Sequence, residues 1–227
     1  QTKTDKVDAR TIASILMSDV NLKSYSDISY HNEELKSLTR YRFDKVKERA
    51  KLKQSFSRLV TILFPELEKF VPTLHMVSVY ALLSELPSAA TIASAHLTRL
   101  TNLLSEVSKG RYGKDAAIML REAARCSIGS HMPAKSLELK HTIKLIRELD
   151  NEIDEIEAEI KTLMDEINSP ILSIPGINYR MGAMITAEIG DFNRFDSPDK
   201  ILTYAGRSPS TYQSGQLDNC YSHMEKR

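Results

Sequence analysis

Two aspartates stand three residues apart in the string Lys3-Thr4-Asp5-Lys6-Val7-Asp8-Ala9-Arg10, and theirs is the first spacing along the chain that could do chemistry. On a helix, positions i and i+3 are neighbours with Cβ atoms roughly 5–6 Å apart. Asp5 and Asp8 could therefore share a hard divalent cation such as Mg²⁺, which takes carboxylate and water oxygens. A two-metal nuclease draws on several carboxylates at one site. The plain alternative is that acids favour a first helical turn because they complement the helix dipole. Two aspartates alone do not decide between these readings.

Ser214 is a second candidate, in the glycine-bounded loop Ser210-Thr211-Tyr212-Gln213-Ser214-Gly215. A serine nucleophile needs an activating base or metal. Asp218 and His223 follow closely, but no spacing rule makes them its partners. The six histidines and the cysteines Cys126 and Cys220 show no metal-ligand spacing.

Phosphate chemistry suggests two further groups. Between Glu33 and Arg58 nine basic residues face four acids, a net charge of +5. Heptad counting places Arg42, Lys45 and Arg49 on the seam of that helix, where apolar residues are expected. Those cations could track phosphates, or pair with the acidic stretch 138–166, where ten acids outweigh four bases. Both readings stay open. Near the C-terminus, Ile174-Pro175-Gly176-Ile177-Asn178 precedes a helix rich in small residues. Gly176, Ile177, Asn178 and Arg180 could offer backbone N–H groups, a helix N-terminus and a cation to a phosphate. A turn that only packs would have the same sequence.

These residues need scaffolding, and the composition says of what kind. The 227 residues are 41% hydrophobic and 27% charged, with net charge +1, eight glycines, eight prolines and no tryptophan. That favours helices over a turn-rich β fold. The near-zero balance gives no global case for nucleic acid. No apolar run reaches a membrane span, and two distant cysteines suit a reducing compartment, so a cytoplasmic location is expected. The start at Gln1 and the stop at Lys226-Arg227 are read as those of a piece of a longer protein.

The fold class expected is mainly α: long coiled-coil helices plus a small C-terminal helix-hairpin-helix-like module. Helices are expected over 4–18 with Thr4 as N-cap, over 32–64 ending at Pro65, over 89–107, over 114–125 and over 133–168. In the last, Leu139, Thr142, Ile146, Leu149, Ile153, Ile156, Ile160, Leu163 and Ile167 recur at four-three spacing, a coiled-coil seam about 50 Å long. So regular a seam suggests self-association into a homo-oligomer. A helix over 178–189 and one or more turns over 198–204 follow, then a loop over 206–215.

Taken in order, the string from Lys3 to Arg10, the long helical region, Ser173-Ile174-Pro175-Gly176-Ile177, Thr203-Tyr204-Ala205-Gly206 and Tyr212-Gln213-Ser214-Gly215 resemble the DEDD-type insertion-sequence transposases, recombinases directed to DNA by a structured guide RNA. The resemblance implies a RuvC-like catalytic domain with four acidic Mg²⁺ ligands, the last two matching Asp5 and Asp8. It also implies a C-terminal transposase domain whose serine, matched to Ser214, attacks a DNA phosphate. The divisions implied are 1–20 as the end of the RuvC-like domain, 21–169 as a helical coiled-coil linker and 170–227 as an incomplete transposase domain. The first acidic pair has no counterpart after Gln1, and Arg207 stands where an aliphatic residue is expected. With two of four carboxylates, this chain alone is expected to be inactive. The rival from another class is a non-enzymatic helical adaptor or scaffold.

Overall fold

The computed structural model describes residues 5–18, 30–207, 213–214 and 217–218, with side chains for 9–18 and 32–207. It is mainly helical. The chain divides into two compact units, one of residues 38–166 and one of residues 1–37 with 167–227.

The larger unit is built around two long helices, α2 (Tyr30–Leu63) and α7 (Pro133–Ile167), both starting and ending close to where the sequence places them. Pro65 stops α2 because it has no N–H to continue the ladder, and the chain turns instead through a 3₁₀ segment, Pro65–Lys69. Four shorter helices follow: α3 (Val77–Glu85), α4 (Ala89–Ser94), α5 (Leu97–Val107) and α6 (Lys114–Arg125). One core joins them. Phe56, Leu59, Val60 and Leu63 from the end of α2, and Phe64 just after it, form one core with Leu82 and Leu83 of α3, Leu100 and Leu104 of α5, Leu120 of α6, and Leu139, Ile143 and Ile146 of α7.

The sequence suggests a single helix over 89–107, whereas the chain breaks at Ala95 and His96, both extended. α4 is closed at its start by a capping box between Ser88 and Thr91, and α5 restarts with the Leu100 amide donating to the His96 carbonyl at 3.0 Å. Ser94 and His96 are middling helix formers. The break leaves no trace in the pattern, since Ile92 and Leu100 are buried on either side of it.

Along α7, Leu139, Thr142, Ile146, Leu149, Ile153, Ile156 and Ile160 are buried within the single chain. The expected seam departs at its end, where Met164 rather than Leu163 is buried. A straight helix drifts about 20° per heptad from a 3.5-residue repeat, so by the fourth heptad the buried row has moved on by one position. Because one chain already covers this row, the seam does not require a second copy.

Between α6 and α7, residues 126–132 are locked to the end of α2. The Ser127 hydroxyl donates to Glu66 Oε2 at 2.5 Å and the Ile128 amide donates to Oε1 at 3.1 Å. The Ser130 amide donates to the Ile62 carbonyl at 2.8 Å. The hydroxyl of Ser127 holds the Glu66 carboxyl below its usual range, burial opposes this, and the Ile128 amide adds to the lowering. Between them Gly129 passes so close that a Cβ would lie 2.5 Å from the Leu63 carbonyl oxygen. That obstacle is backbone and cannot swing away. Gly129→Ala is therefore expected to cost about 2 kcal/mol by overpacking, lowering the melting midpoint by roughly 4–8 °C. An unchanged thermal melt would contradict the close approach.

The other unit contains α1 (Asp5–Ser18), α8 (Tyr179–Ile189) and α9 (Pro198–Tyr204), with a two-residue antiparallel ladder of β1 (Gln213–Ser214) and β2 (Leu217–Asp218). The Thr4 cap and residues 19–29 and 208–212 lie outside the described residues.

Candidate functional site

Asp5 and Asp8 both fall in the first turn of α1, at adjacent positions of one helical face. Their side chains lie outside the described residues. Among those described, no three His, Cys, Asp or Glu residues gather in a way that could hold a metal ion.

Ser214 was expected in an irregular loop. Its backbone instead pairs with Leu217, and Gln213 pairs with Asp218. A two-residue ladder holds the serine's backbone in a defined register and brings Asp218 one pair away. The side chains of both lie outside the described residues, as does His223.

The three seam cations have partners. Arg42 contacts Glu157 at 2.7 Å, Lys45 contacts Glu152 at 2.6 Å and Arg49 contacts Asp150 at 2.5 Å. As the α2 number rises the α7 number falls, so the two helices run antiparallel. Of the two readings that the sequence leaves open, the pairing with the acidic helix describes what these side chains touch. The hydrogen bond to Glu152 raises the Lys45 pKa, partial burial lowers it, and a hydrogen bond to Tyr41 adds to the rise. Lys45 also sits 5.3 Å from the centre of the Tyr41 ring.

Arg42 and Glu157 are the least exposed pair, at 19% and 25% of their side-chain surface. Arg42→Met is expected to cost about 1–2 kcal/mol, between the values for exposed and buried pairs, because it removes the guanidinium that contacts a Glu157 carboxylate only 25% exposed. The double change Arg42→Met with Glu157→Met should recover most of that loss in urea melts. Equal losses in single and double variants would mean that the pair does not tether the helices.

The C-terminal turn has the geometry its sequence asks for. Pro170–Ser173 forms one 3₁₀ turn, capped by Ser169. Gly176 then adopts φ +89°, a left-handed conformation that residues with a Cβ rarely take. The Ile177 amide donates to the Ile174 carbonyl at 3.1 Å. Asn178 caps α8 by accepting from the Met181 amide at 3.0 Å, and Gly190 ends the helix at φ +68°. Gly176, Asn178 and Arg180 are exposed and Ile177 is half-buried. The N-terminus of α8 therefore opens to solvent, while Ala183 and Ala187 on its opposite face are buried.

Two clusters were missed in the sequence. The Arg194 guanidinium lies 4.7 Å from the ring centres of both Phe195 and Tyr204, and the Tyr204 hydroxyl donates to the Glu188 carbonyl at 3.2 Å. Only the aromatic content of this stretch hinted at such stacking. In the larger unit, His75 Nδ1 lies 2.9 Å from the Tyr80 hydroxyl and Nε2 lies 3.4 Å from Ser57 Oγ. A serine beside a histidine invites a catalytic reading. Here Phe56 packs edge-on against Tyr80 with ring centres 4.9 Å apart. Burial pushes the Tyr80 hydroxyl up to about 12, aided by Asp150 and opposed by Arg49. Burial also lowers the His75 pKa, as does the charge of Lys53. The trio satisfies polar groups at the edge of a core.

A transposase family model matches residues 1–65, and a second, described as transposase IS116/IS110/IS902 family, matches residues 168–227. The chain is 25% identical to the insertion element IS116 uncharacterized 44.8 kDa protein of Streptomyces clavuligerus, over 99% of this chain and 57% of that protein. It is 26% identical to the mini-circle putative transposase for IS117 of Streptomyces coelicolor, over 94% of this chain and 55% of the relative. The insertion element IS110 uncharacterized 43.6 kDa protein of the same organism is also 26% identical, over 95% and 54%. The chain thus spans about half the length of the curated relatives it matches. No helix among the described residues is long and apolar enough to cross a membrane.

Proposed function

The chain belongs to the IS116/IS110/IS902 family of transposases, and from that premise we propose that it is part of an enzyme that cuts and rejoins DNA when an insertion sequence moves. The observation that carries this reading is the pair of separate transposase matches on one chain, at 1–65 and at 168–227. In this proposal residues 1–20 close a RuvC-like catalytic domain, 21–169 form the helical linker and 170–227 belong to the C-terminal transposase domain.

Asp5 and Asp8 would supply two carboxylates to a divalent-metal site, with Mg²⁺ the ion of choice for oxygen ligands that retain water. Such an ion, when bound, stabilises charge that develops on a phosphate under attack. Ser214 would be the attacking hydroxyl, its register set by the ladder that β1 makes with β2. The turn at Gly176, the α8 N-terminus capped by Asn178, and Arg180 would hold a DNA phosphate near that domain. A structured guide RNA is the further partner in this reading. Self-association would use faces other than the buried row of α7, and a strict monomer in concentrated sedimentation runs would remove that element.

The test uses the complete reading frame, expressed in cells beside a plasmid carrying the insertion element and its flanks. Excised circles and rejoined flanks, amplified across their new junctions, are the expected products. If the full-length protein accumulates and no junction forms, the transposase reading of this chain fails.

A further inference from the structure

In the larger unit, α2 carries cations on two different sides. Buried Phe56, Leu59 and Leu63 and paired Arg42, Lys45 and Arg49 mark the side of α2 that faces the core and α7. At 100° per residue, Arg40, Lys47, Lys51 and Arg58 fall within a sector of about 40° on the opposite side. All four are exposed. Lys47, Lys51 and Arg58 have no carboxylate within ion-pair distance among the described residues. They extend over about 16 Å of helix axis at 1.5 Å per residue, and Arg40 lengthens the row toward the N-terminus. Phe43, 61% exposed, flanks it.

On α7, Glu148, Glu155 and Glu159 are exposed along one flank of the buried row of Leu149, Ile153 and Ile156, while the side opposite that row mixes Lys144, Arg147 and Lys161 with Asp154 and Asp165. The outside of α2 is therefore mainly cationic, whereas the outside of α7 carries both signs, so a polyanion is drawn to the α2 side of the pair.

We infer that the outer face of α2, through Lys47, Lys51 and Arg58, lies along the phosphate backbone of duplex DNA. The choice of DNA rests on the transposase reading; the choice of face rests on the charge geometry alone. A straight row of flexible cations on a rigid helix gives contacts that position DNA without reading its sequence. This assigns the cationic character of α2 to a different set of side chains from the seam residues, whose charges the acidic helix already neutralises.

The test is binding of this chain to a random-sequence duplex of about 30 base pairs, followed by fluorescence anisotropy from 50 to 300 mM KCl. Wild type is compared with Lys47→Gln/Lys51→Gln/Arg58→Gln and with Glu148→Gln/Glu155→Gln/Glu159→Gln. Circular dichroism and thermal melts check that both variants fold like wild type, as exposed glutamines should allow. Three lost phosphate contacts at about 0.9 each should flatten the slope of log K against log salt by roughly 2.7. The glutamate variant should bind as well as wild type or better.

Equal slopes in wild type and the lysine–arginine variant would overturn the proposal, and DNA contacts would then lie elsewhere in the protein. The same slope change on a structured RNA hairpin, with no duplex binding, would overturn it in favour of RNA. Should wild type bind neither while the variant alone loses a dimer in sedimentation, the face is a contact between copies and the proposal is wrong. None of these three outcomes touches the excision assay, which judges the transposase reading independently.

Discussion

In the complete reading frame, Asp8→Asn is expected to reduce excision and rejoining at least about a hundredfold, and Ser214→Ala about a thousandfold or more. The two losses should differ in kind. Asparagine keeps the shape of aspartate and removes its charge, so a ligand set reduced in this way binds Mg²⁺ more weakly, and raising the metal concentration restores part of the activity. Alanine would remove the oxygen proposed to attack, and no metal concentration would return it. Junction product measured from 0.1 to 50 mM Mg²⁺ separates the roles. Asp5, one turn of α1 away on the same face, should behave like Asp8. If Ser214→Ala excises as wild type does, the nucleophile lies elsewhere. If neither aspartate variant shifts the metal dependence, the acids of α1 only complement its helix dipole.

The second large effect concerns the scaffold. Phe56→Ala is expected to cost about 3–5 kcal/mol, the range for emptying a fully buried aromatic site. Phe56 has no exposed surface and belongs to the core that the end of α2 shares with α3, α5, α6 and α7. Its ring packs against Tyr80 at 4.9 Å and His75 at 5.7 Å. Truncation leaves a cavity and also loosens the contact that holds the Tyr80 hydroxyl against His75. The urea midpoint should fall, and so should the near-ultraviolet signal of the buried tyrosine. Because α2 begins outside this core and ends inside it, a loss here also frees the helix that carries Arg42, Lys45 and Arg49. A cost below about 1 kcal/mol would mean that the site collapses around the missing ring.

How far the sequence led depends on the kind of force at each place. The ends of α2, α6 and α8 are set by local chemistry: Pro65 removes a donor, Gly113 precedes α6, and Gly190 takes a positive φ that closes α8. Such signals are local and legible. α3 is nearly apolar throughout, Val-Ser-Val-Tyr-Ala-Leu-Leu-Ser-Glu, so no polar stripe announces its period. The turn between α4 and α5 hides for the opposite reason, since both halves keep their apolar residues inward. The ion pair of Arg42 with Glu157 joins residues 115 apart. Sequence can raise that pairing as one of two readings but cannot choose, because the choice depends on which side of each helix the core occupies. The Arg194 stack depends on Phe195, ahead of α9, meeting Tyr204 at its end, with ring centres 5.4 Å apart, and no spacing rule anticipates that.

The short segment between α6 and α7 bears on how this chain tolerates change in length. Loops usually absorb extra residues, since their ends are held by the elements and their middles by nothing. Here the middle is held: Glu66 grips Ser127 and Ile128, Ser130 bonds to Ile62, and Gly129 lies against the α2 backbone. One inserted residue would shift one of these anchors and the entry of a 35-residue helix together. The turn at Lys109 and Gly110 is exposed, both residues take positive φ, and a Cβ on Gly110 meets nothing within 4 Å. Peptide tags and duplicated residues are better accommodated there. The stretch that looks least structured is thus the one whose length is most tightly set.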